Sequence, residues 1–244
     1  EITETNLPFV AGFESFQFPD ELKTKTVELT APAGLKIHHF ISGAAGNIRQ
    51  RISSGEGRQS FTWTATNVSA LPAESQLPPE WVYDSGVNFY VGNVNDYYRE
   101  LEHTLLNRAG QGAQASALAK QLTASATNRL DALRIIRDYV VQNIRLAGPD
   151  FAGLPLKYLS AADTTLSDGY GHLADRAILL HAMLTAAGFH PEFVLASGLP
   201  PIAKLRHFTD DFPLPQEFTY PLVRVELDGQ AYYLNDTDQY AKLG

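Results

Sequence analysis

A serine, an aspartate and a histidine lie close together in the second half of the chain, at Ser167, Asp168 and His172. These residue types form acyl-transfer centres, in which a base-activated hydroxyl attacks a carbonyl carbon. The same Ser-Asp-Gly string before a helix is typical of a turn and cap, and we favour that interpretation. Acyl transfer or amide hydrolysis by a non-cysteine nucleophile, through Ser167 or His172, stays as an alternative. The chain contains no cysteine, which excludes a thiolate mechanism.

Two further groups of residues have the chemistry of metal ligands. His38 and His39 are adjacent in a predicted strand, so their side chains point to opposite faces and do not share one ion. Asp236 and Asp238 alternate near the C-terminal end and could meet the Asp210-Asp211 pair, but acidic clusters of this kind are usually solvated. We therefore predict no metal site, and no motif in the sequence predicts a cofactor.

The elements that carry these residues differ along the chain. Segments 26–30 and 61–66 are rich in β-branched and aromatic residues, and they predict strands of an antiparallel sandwich. Apolar residues at helical spacing begin near Asn95 and recur through 130–144. Segment 177–187 is apolar on nearly every side, which predicts a helix buried in the middle of a domain.

The clearest local signal is Asp228-Gly229, which stands between two strand-like segments. This dipeptide favours a two-residue turn with positive φ, so segments 222–227 and 230–235 predict a β-hairpin. In that register Tyr220 lies diagonal to Asn235 on the same face, at roughly 7–8 Å. The hairpin therefore brings these two side chains to one site.

Composition excludes several classes of partner. The 244 residues carry 27 acidic and 19 basic side chains, and the net charge of -8 disfavours binding to a phosphate backbone, so we expect no nucleic acid. No segment approaches the roughly 20 apolar residues that cross a bilayer, so we expect no membrane span. Residues 1–4 are acidic, where a signal peptide is basic and then apolar. If the protein is exported, we expect its signal to lie outside this sequence.

Several segments together resemble a bacterial transglutaminase-like domain of the papain-like class, namely Asn143-Ile144-Arg145, 171–180, Ala186-Ala187-Gly188-Phe189 and 218–244. Residues 58–74 also resemble a β-rich domain of unknown function that often precedes such domains in exported bacterial proteins. The resemblance implies an α+β fold. In that fold an N-terminal antiparallel β-sandwich portion is followed by a transglutaminase-like α+β domain with a buried central helix packed on an antiparallel sheet.

The domain bounds that we predict on this basis are 1–92, 93–125 and 126–244. The first is the N-terminal β-rich domain, taken as incomplete, the second a pair of connecting helices, and the third the transglutaminase-like domain. The oligomeric state does not follow from any of these patterns.

The same resemblance implies what has happened to the catalytic residues. In the family, a cysteine at the start of the buried helix is activated by a histidine, which an aspartate or asparagine orients. The family motif Gly-Asp-Cys-x-Asp-Lys-Ala reads Gly-His-Leu-Ala-Asp-Arg-Ala over 171–177, so Leu173 stands at the cysteine position. Tyr220 stands at the histidine position and Asn235 at the aspartate position. A leucine is no nucleophile and a tyrosine with a pKa near 10 is a poor base, so we predict that the chain is not an enzyme.

The predicted function is that of a catalytically inactive transglutaminase-like protein, a pseudoenzyme that acts as a binding or structural module in a longer exported bacterial protein. Its binding-cleft candidates are Asp168, His172, Leu173, Tyr220 and Asn235. The resemblance implies a peptide or another cell-envelope ligand as partner, and a secreted or periplasmic location. A carbohydrate-binding module built on exposed aromatic residues is a further alternative.

Overall fold

The computed structural model describes residues 9–43, 48–71, 79–149, 151, 155–200, 202, 205 and 212–238. The Asp210-Asp211 pair lies outside the described residues, as do residues 72–74 and 239–244 of the segments that carry the resemblance. Two compact units divide the chain. Unit 1 comprises Glu1–Tyr97 and Pro201–Leu214, and unit 2 comprises Tyr98–Pro200 and Pro215–Gly244.

Unit 1 is built almost entirely from β-strands. Two three-stranded antiparallel sheets have the strand orders β1-β6-β3 and β2-β5-β4. In chain order the elements are β1 (Phe9–Ser15), β2 (Leu22–Pro32), β3 (Ile37–Ser42), β4 (Ile48–Gly55), β5 (Arg58–Val68), the short helix α1 (Glu80–Tyr83) and β6 (Gly86–Gly92).

The core of unit 1 takes side chains from both of its sheets. On β5, Phe61, Trp63 and Ala65 are buried at every second position, as expected of a strand with one covered face. They form one apolar cluster with Ile37 of β3 and Val87 of β6. Each sheet therefore contributes one face to the same buried cluster.

Unit 2 combines helices with one antiparallel sheet of order β11-β10-β9. The helix α2 (Val94–Gly110) begins in unit 1 and continues into unit 2. The remaining elements are α3 (Ala113–Thr123), α4 (Arg129–Asn143), β7 (Arg145–Leu146), α5 (Ala162–Asp168), β8 (Tyr170–Gly171), α6 (Leu173–Ala186), β9 (Glu192–Ala196), β10 (Tyr220–Leu227) and β11 (Gln230–Leu234), with 3₁₀ turns at Leu156–Tyr158 and Pro215–Glu217.

The helix α6 is apolar on nearly every side because it has neighbours on nearly every side. It packs against α3, α4 and α5 and against strand β10. Most of its residues are buried, and Ile178, Leu179 and Met183 are fully so. Burying a side chain of this size contributes about 1.5–3 kcal/mol.

The predicted α+β class with antiparallel sheets is confirmed. The hairpin has the predicted register, with Leu227 opposite Gln230 and Val223 opposite Leu234. A two-residue parallel pair, β7 with β8, was not predicted because neither segment is long enough to show a periodicity. No helix in the described ranges has the length and apolar character that a bilayer span requires.

Candidate functional site

His172 caps the N-terminus of α6 and is buried there. Its Nδ1 accepts hydrogen bonds from the backbone N–H groups of Ala174 (3.0 Å) and Asp175 (3.4 Å). Asp175 returns the interaction, since its Oδ2 accepts from the backbone N–H of His172 at 3.4 Å, which completes a capping box. Burial lowers the pKa of His172 although the charge of Asp175 opposes this shift. Nδ1 is therefore unprotonated and serves as the cap acceptor.

Ser167 and His172 do not form the acyl-transfer pair that their spacing suggested as an alternative. Ser167 lies at the exposed end of α5, where its Oγ donates to the carbonyl of Thr164 (3.2 Å) and contacts Oδ1 of Asp168 (3.4 Å). Neither of these two contacts involves His172. The Nδ1 of His172 accepts hydrogen bonds from the backbone of α6 instead. The turn-and-cap interpretation accounts for the contacts of both residues.

Asn235 joins the start of α6 to the sheet. Its Nδ2 donates to the carbonyl oxygen of Leu173 (2.8 Å) and to that of Pro221 (2.8 Å). Asn235 is buried, and its φ of 135° lies in a region that non-glycine residues rarely adopt. Such a conformation costs about 1–3 kcal/mol and persists only where surrounding contacts hold it.

Leu173 and Tyr220, whose backbones lie beside this bridge, are both less buried than Asn235. Tyr220 is 50% exposed and precedes Pro221, whose carbonyl Asn235 binds. Its ring lies close to Gly198, where an added Cβ would stand 3.3 Å from Cε2 of the tyrosine. Leu173 is only partly buried, unlike the residues that follow it in α6. The side-chain amide of Asn235 thus joins the backbone carbonyls of Leu173 and Pro221.

Two buried arginines hold the segment that follows β11, and sequence reasoning missed both. Nε of Arg137 donates to Oδ2 of Asp236 (2.8 Å), and its Nη2 donates to the carbonyl of Asp238 (3.3 Å). Nη2 of Arg176 donates to the carbonyl of Asp236 (2.7 Å). For Arg176 the sequence carries a signal of a special role, because this charged residue interrupts the most apolar helix of the chain.

The surroundings also shift the pKa values of the two arginines. Burial opposes the charged form of Arg137, but hydrogen bonds to Asp236 and Asp138 outweigh it and raise its pKa. Burial lowers the pKa of Arg176, with the charge of Asp236 acting in the opposite direction. The Asp236 carboxylate is an ion-pair partner of Arg137. The Asp210-Asp211 pair that was weighed with it as a cation site lies outside the described residues.

A polar cleft opens beside this segment, within unit 2, and has a volume of about 790 Å³. We call it the Arg145 cleft, and the lining residues used below are Gln142, Asn143, Arg145, Asp168, Tyr170 and Thr237. The residues come from the end of α4, from β7, from the junction of α5 with β8, and from the segment after β11. Of the five binding-cleft candidates, Asp168 is the one that lines it.

His38 and His39 lie on opposite faces of β3 in unit 1. The ring of His38 stacks on Tyr90 with 4.3 Å between centroids. His39 lies against Phe61 and Trp63 of the buried cluster. Their side chains accordingly do not converge on a common ion.

Known proteins resemble this chain in structure, whereas the sequence comparisons find no match. No family model matches the chain, and no curated protein matches it either. A solved structure from Parabacteroides distasonis, named a "putative protease", has a TM-score of 0.70 at 23% identity, over 93% of this chain and 43% of that one. A "putative cysteine protease" from Cytophaga hutchinsonii has a TM-score of 0.42 at 12% identity, over 94% of this chain and 78% of the other. The chain thus spans less than half the length of the Parabacteroides protein.

This finding corrects the prediction that the chain is not an enzyme. Its fold is shared with a chain that carries the name of a protease, and the exclusion of enzymatic activity is contradicted. The sequence argument was too broad for a physical reason. A missing thiol at position 173 removes thiolate attack from that position and says nothing about other nucleophiles.

Proposed function

We propose that unit 2 binds polypeptide over the surface formed by the side chains of Leu173 and Tyr220. The Asn235 bridge is the observation that carries the proposal. Its two hydrogen bonds tie the backbone of the first residue of α6 to that of Pro221, next to Tyr220, which supports a shared surface for the two side chains.

The two side chains offer contacts that suit an uncharged peptide segment. Leu173 supplies apolar area, and Tyr220 supplies an aromatic face together with a phenolic hydroxyl. Tyrosines of this kind are frequent anchors of binding surfaces because they bury much area with few rotatable bonds.

The backbone beneath this surface is held in place before any ligand arrives. Asn235 fixes it from one side, and the buried guanidinium groups of Arg137 and Arg176 hold the residues that follow. A preorganised surface loses less conformational entropy on binding, which favours affinity. The strained φ of Asn235 is a further sign that this geometry is specified by its surroundings.

The class of ligand is carried over from the fold. A chain of similar fold is named a protease, and polypeptide is the substrate class of proteases. On the same resemblance we propose that Leu173, Tyr220 and Asn235 occupy the cysteine, histidine and aspartate positions of a transglutaminase-like domain. We also propose that unit 1 is the sandwich domain that accompanies such domains, and that the parent protein is exported.

The experiment is a binding screen with peptides that are acetylated at the N-terminus and amidated at the C-terminus. The affinity of the best peptide is measured for the wild-type protein, for Tyr220→Ala and for the control Tyr233→Ala. Tyr233 is a matched control because it is 49% exposed in the same sheet. We expect Tyr220→Ala to weaken binding by about tenfold or more, the effect of losing one aromatic anchor, and Tyr233→Ala to change little.

Equal losses in the two variants, or no saturable binding by any blocked peptide, would overturn the proposal. Mass spectrometry of the same samples detects cleavage of the bound peptide. Cleavage that persists in Tyr233→Ala and disappears in Tyr220→Ala would extend the proposed function from peptide binding to peptide hydrolysis at this surface.

A further inference from the structure

Three charged residues line the Arg145 cleft, namely Arg145, Asp168 and Asp238. Within the described part of the chain, the guanidinium of Arg145 makes no hydrogen bond and no ion pair, although it lines the cleft. The carboxylate of Asp168 also lines it and has one long contact, 3.4 Å from the Ser167 hydroxyl. The side chains of Arg145 and Asp168 line one concave volume, and no ion pair joins them.

The walls that carry these charges are fixed by backbone hydrogen bonds. The N–H of Arg145 donates to the carbonyl of Gly169 (2.8 Å), and the N–H of Ala147 donates to the carbonyl of Gly171 (2.9 Å). These bonds pair β7 with β8 and hold Arg145 opposite Tyr170 in register. Gly169, with φ of 68°, ends α5 in the left-handed conformation and turns the chain toward β8 directly after Asp168.

The remaining wall follows β11 and is held by the buried Arg137. Its Nε and Nη2 bind the side chain of Asp236 and the carbonyl of Asp238, so that Thr237 lies between two anchored residues. The cleft is therefore bounded by elements whose backbones are held by hydrogen bonds, which sets where the side chains of Arg145 and Asp168 begin.

Neutral polar and aromatic groups also line the cleft. Tyr170 has 55% of its surface exposed and offers an aromatic face, and Gln142 and Thr237 offer an amide and a hydroxyl. A volume of about 790 Å³ falls in the range of small-molecule sites, roughly 300–1,000 Å³. The site suits a compact polar molecule in size and in hydrogen-bonding capacity.

We propose that the Arg145 cleft binds a small zwitterion through a carboxylate on Arg145 and an ammonium group on Asp168, with the carbon portion against Tyr170. A guanidinium binds carboxylate oxygens in a bidentate arrangement, and a carboxylate accepts from an ammonium group. A polyanion would meet repulsion from Asp168, and a neutral ligand would desolvate both charges without replacing their water. A free amino acid and the charged ends of a short peptide share the required chemistry.

The experiment is an NMR titration of the full 244-residue chain with alanine, with trialanine, and with trialanine acetylated and amidated at its ends. We expect saturable shifts at Arg145, Asp168 and Tyr170 with a zwitterionic form and none with the blocked form. A response to alanine identifies a free amino acid as the source, and a response to trialanine alone identifies a peptide.

Two variants test the contacts. Arg145→Gln and Asp168→Asn are each expected to weaken binding by about tenfold or more, the factor of one charge-assisted hydrogen bond. Arg134→Gln and Glu102→Gln are matched controls, because both residues are exposed elsewhere on the helices of the chain. Chemical shifts of the free variants show whether they keep the wild-type fold.

Several results would overturn the proposal. These are the absence of saturable shifts at Arg145, Asp168 and Tyr170 with alanine and trialanine, equal shifts at these residues with blocked and unblocked trialanine, and equal losses in the variants and their controls. The proposed peptide surface is tested with blocked peptides and with Tyr220, so either proposal can fail without the other.

Discussion

At the scale of single residues, His172 shows how one side chain serves local structure where its type suggests catalysis. A histidine near a serine and an aspartate fits an acid–base role, but Nδ1 is committed to two backbone N–H groups of α6. The sequence favoured a turn and cap for this region, and the contacts agree. The residue that forms the cap could not be identified from the sequence, because histidine is not among the preferred N-cap residues.

The His172 cap predicts a specific dependence of stability on pH. Burial lowers the pKa of His172 in the folded protein below its usual value near 6.5, so unfolded chains bind more protons at mildly acidic pH. Its contribution to the free energy of unfolding is complete above about pH 6.5 and is lost as pH falls below that value. We expect His172→Asn, which keeps a cap acceptor that does not titrate, to flatten the loss of stability between about pH 7 and 5.

Denaturant unfolding across that pH range measures the effect. A residual slope should remain, since burial also lowers the pKa values of His181 and His38. The exposed His190→Asn is the control and should leave the wild-type slope unchanged. Identical pH profiles for His172→Asn and the wild type would show that the cap does not titrate as described.

At the scale of elements, α4 and α6 do more than bury apolar area. Each contributes one arginine to the segment that follows the hairpin, and that segment positions Asn235. The predicted register of the hairpin is correct through Leu234, but Asn235 then leaves the ladder with positive φ. Period-two reasoning describes paired strands and does not describe the residue at which pairing stops.

We expect the ion pair of Arg137 with Asp236 to contribute more to the stability of unit 2 than the ion pairs of Arg224 do. Arg137→Ala leaves the Asp236 carboxylate without its partner and frees the carbonyl of Asp238. Removing one member of a buried pair costs about 3–5 kcal/mol, and because the Asp236 side chain keeps 26% exposure we expect about 2–3 kcal/mol.

The free energy of unfolding, from circular dichroism in denaturant, tests this expectation. Arg224→Ala is the control, because Arg224 pairs with Glu192 and Glu226 at the surface and should change stability little. A loss for Arg137→Ala no larger than that of the control would contradict the anchoring role.

At the scale of the whole molecule, unit 1 is assembled from two separate stretches of chain. Residues of Pro201–Leu214, which lie between β9 and β10 in sequence, belong to it. Phe212 packs edge-on against Tyr90 of β6 with 4.9 Å between centroids, and lies 6.4 Å from the ring of Phe40. The prolines and acidic residues of this stretch are typical of an exposed loop, and this pattern does not reveal the packing of Phe212.

Phe212→Ala is therefore expected to destabilise unit 1 by about 1–2 kcal/mol through lost aromatic packing. The two tryptophans of the chain are Trp63 and Trp81, both in unit 1, so tryptophan fluorescence reports the unfolding of that unit. The control Ile52→Ala removes a side chain that is 56% exposed on β4 and should leave the transition in place. A fluorescence transition that is the same for Phe212→Ala and the wild type would contradict this packing role.

The sequence by itself determined the α+β class, the helical and strand segments with strong periodicity, the hairpin turn and the absence of a thiol. These properties depend on local patterns, on turn chemistry and on composition, which a single chain displays directly. It did not justify excluding enzymatic activity, since one missing nucleophile leaves other chemistry open. Only the tertiary structure showed that Asn235 bridges α6 and β10, that Arg137 and Arg176 hold the next residues, and that Arg145 and Asp168 share a cleft. These contacts join residues that lie far apart in the chain. The burial that strengthens them arises only when the elements pack together.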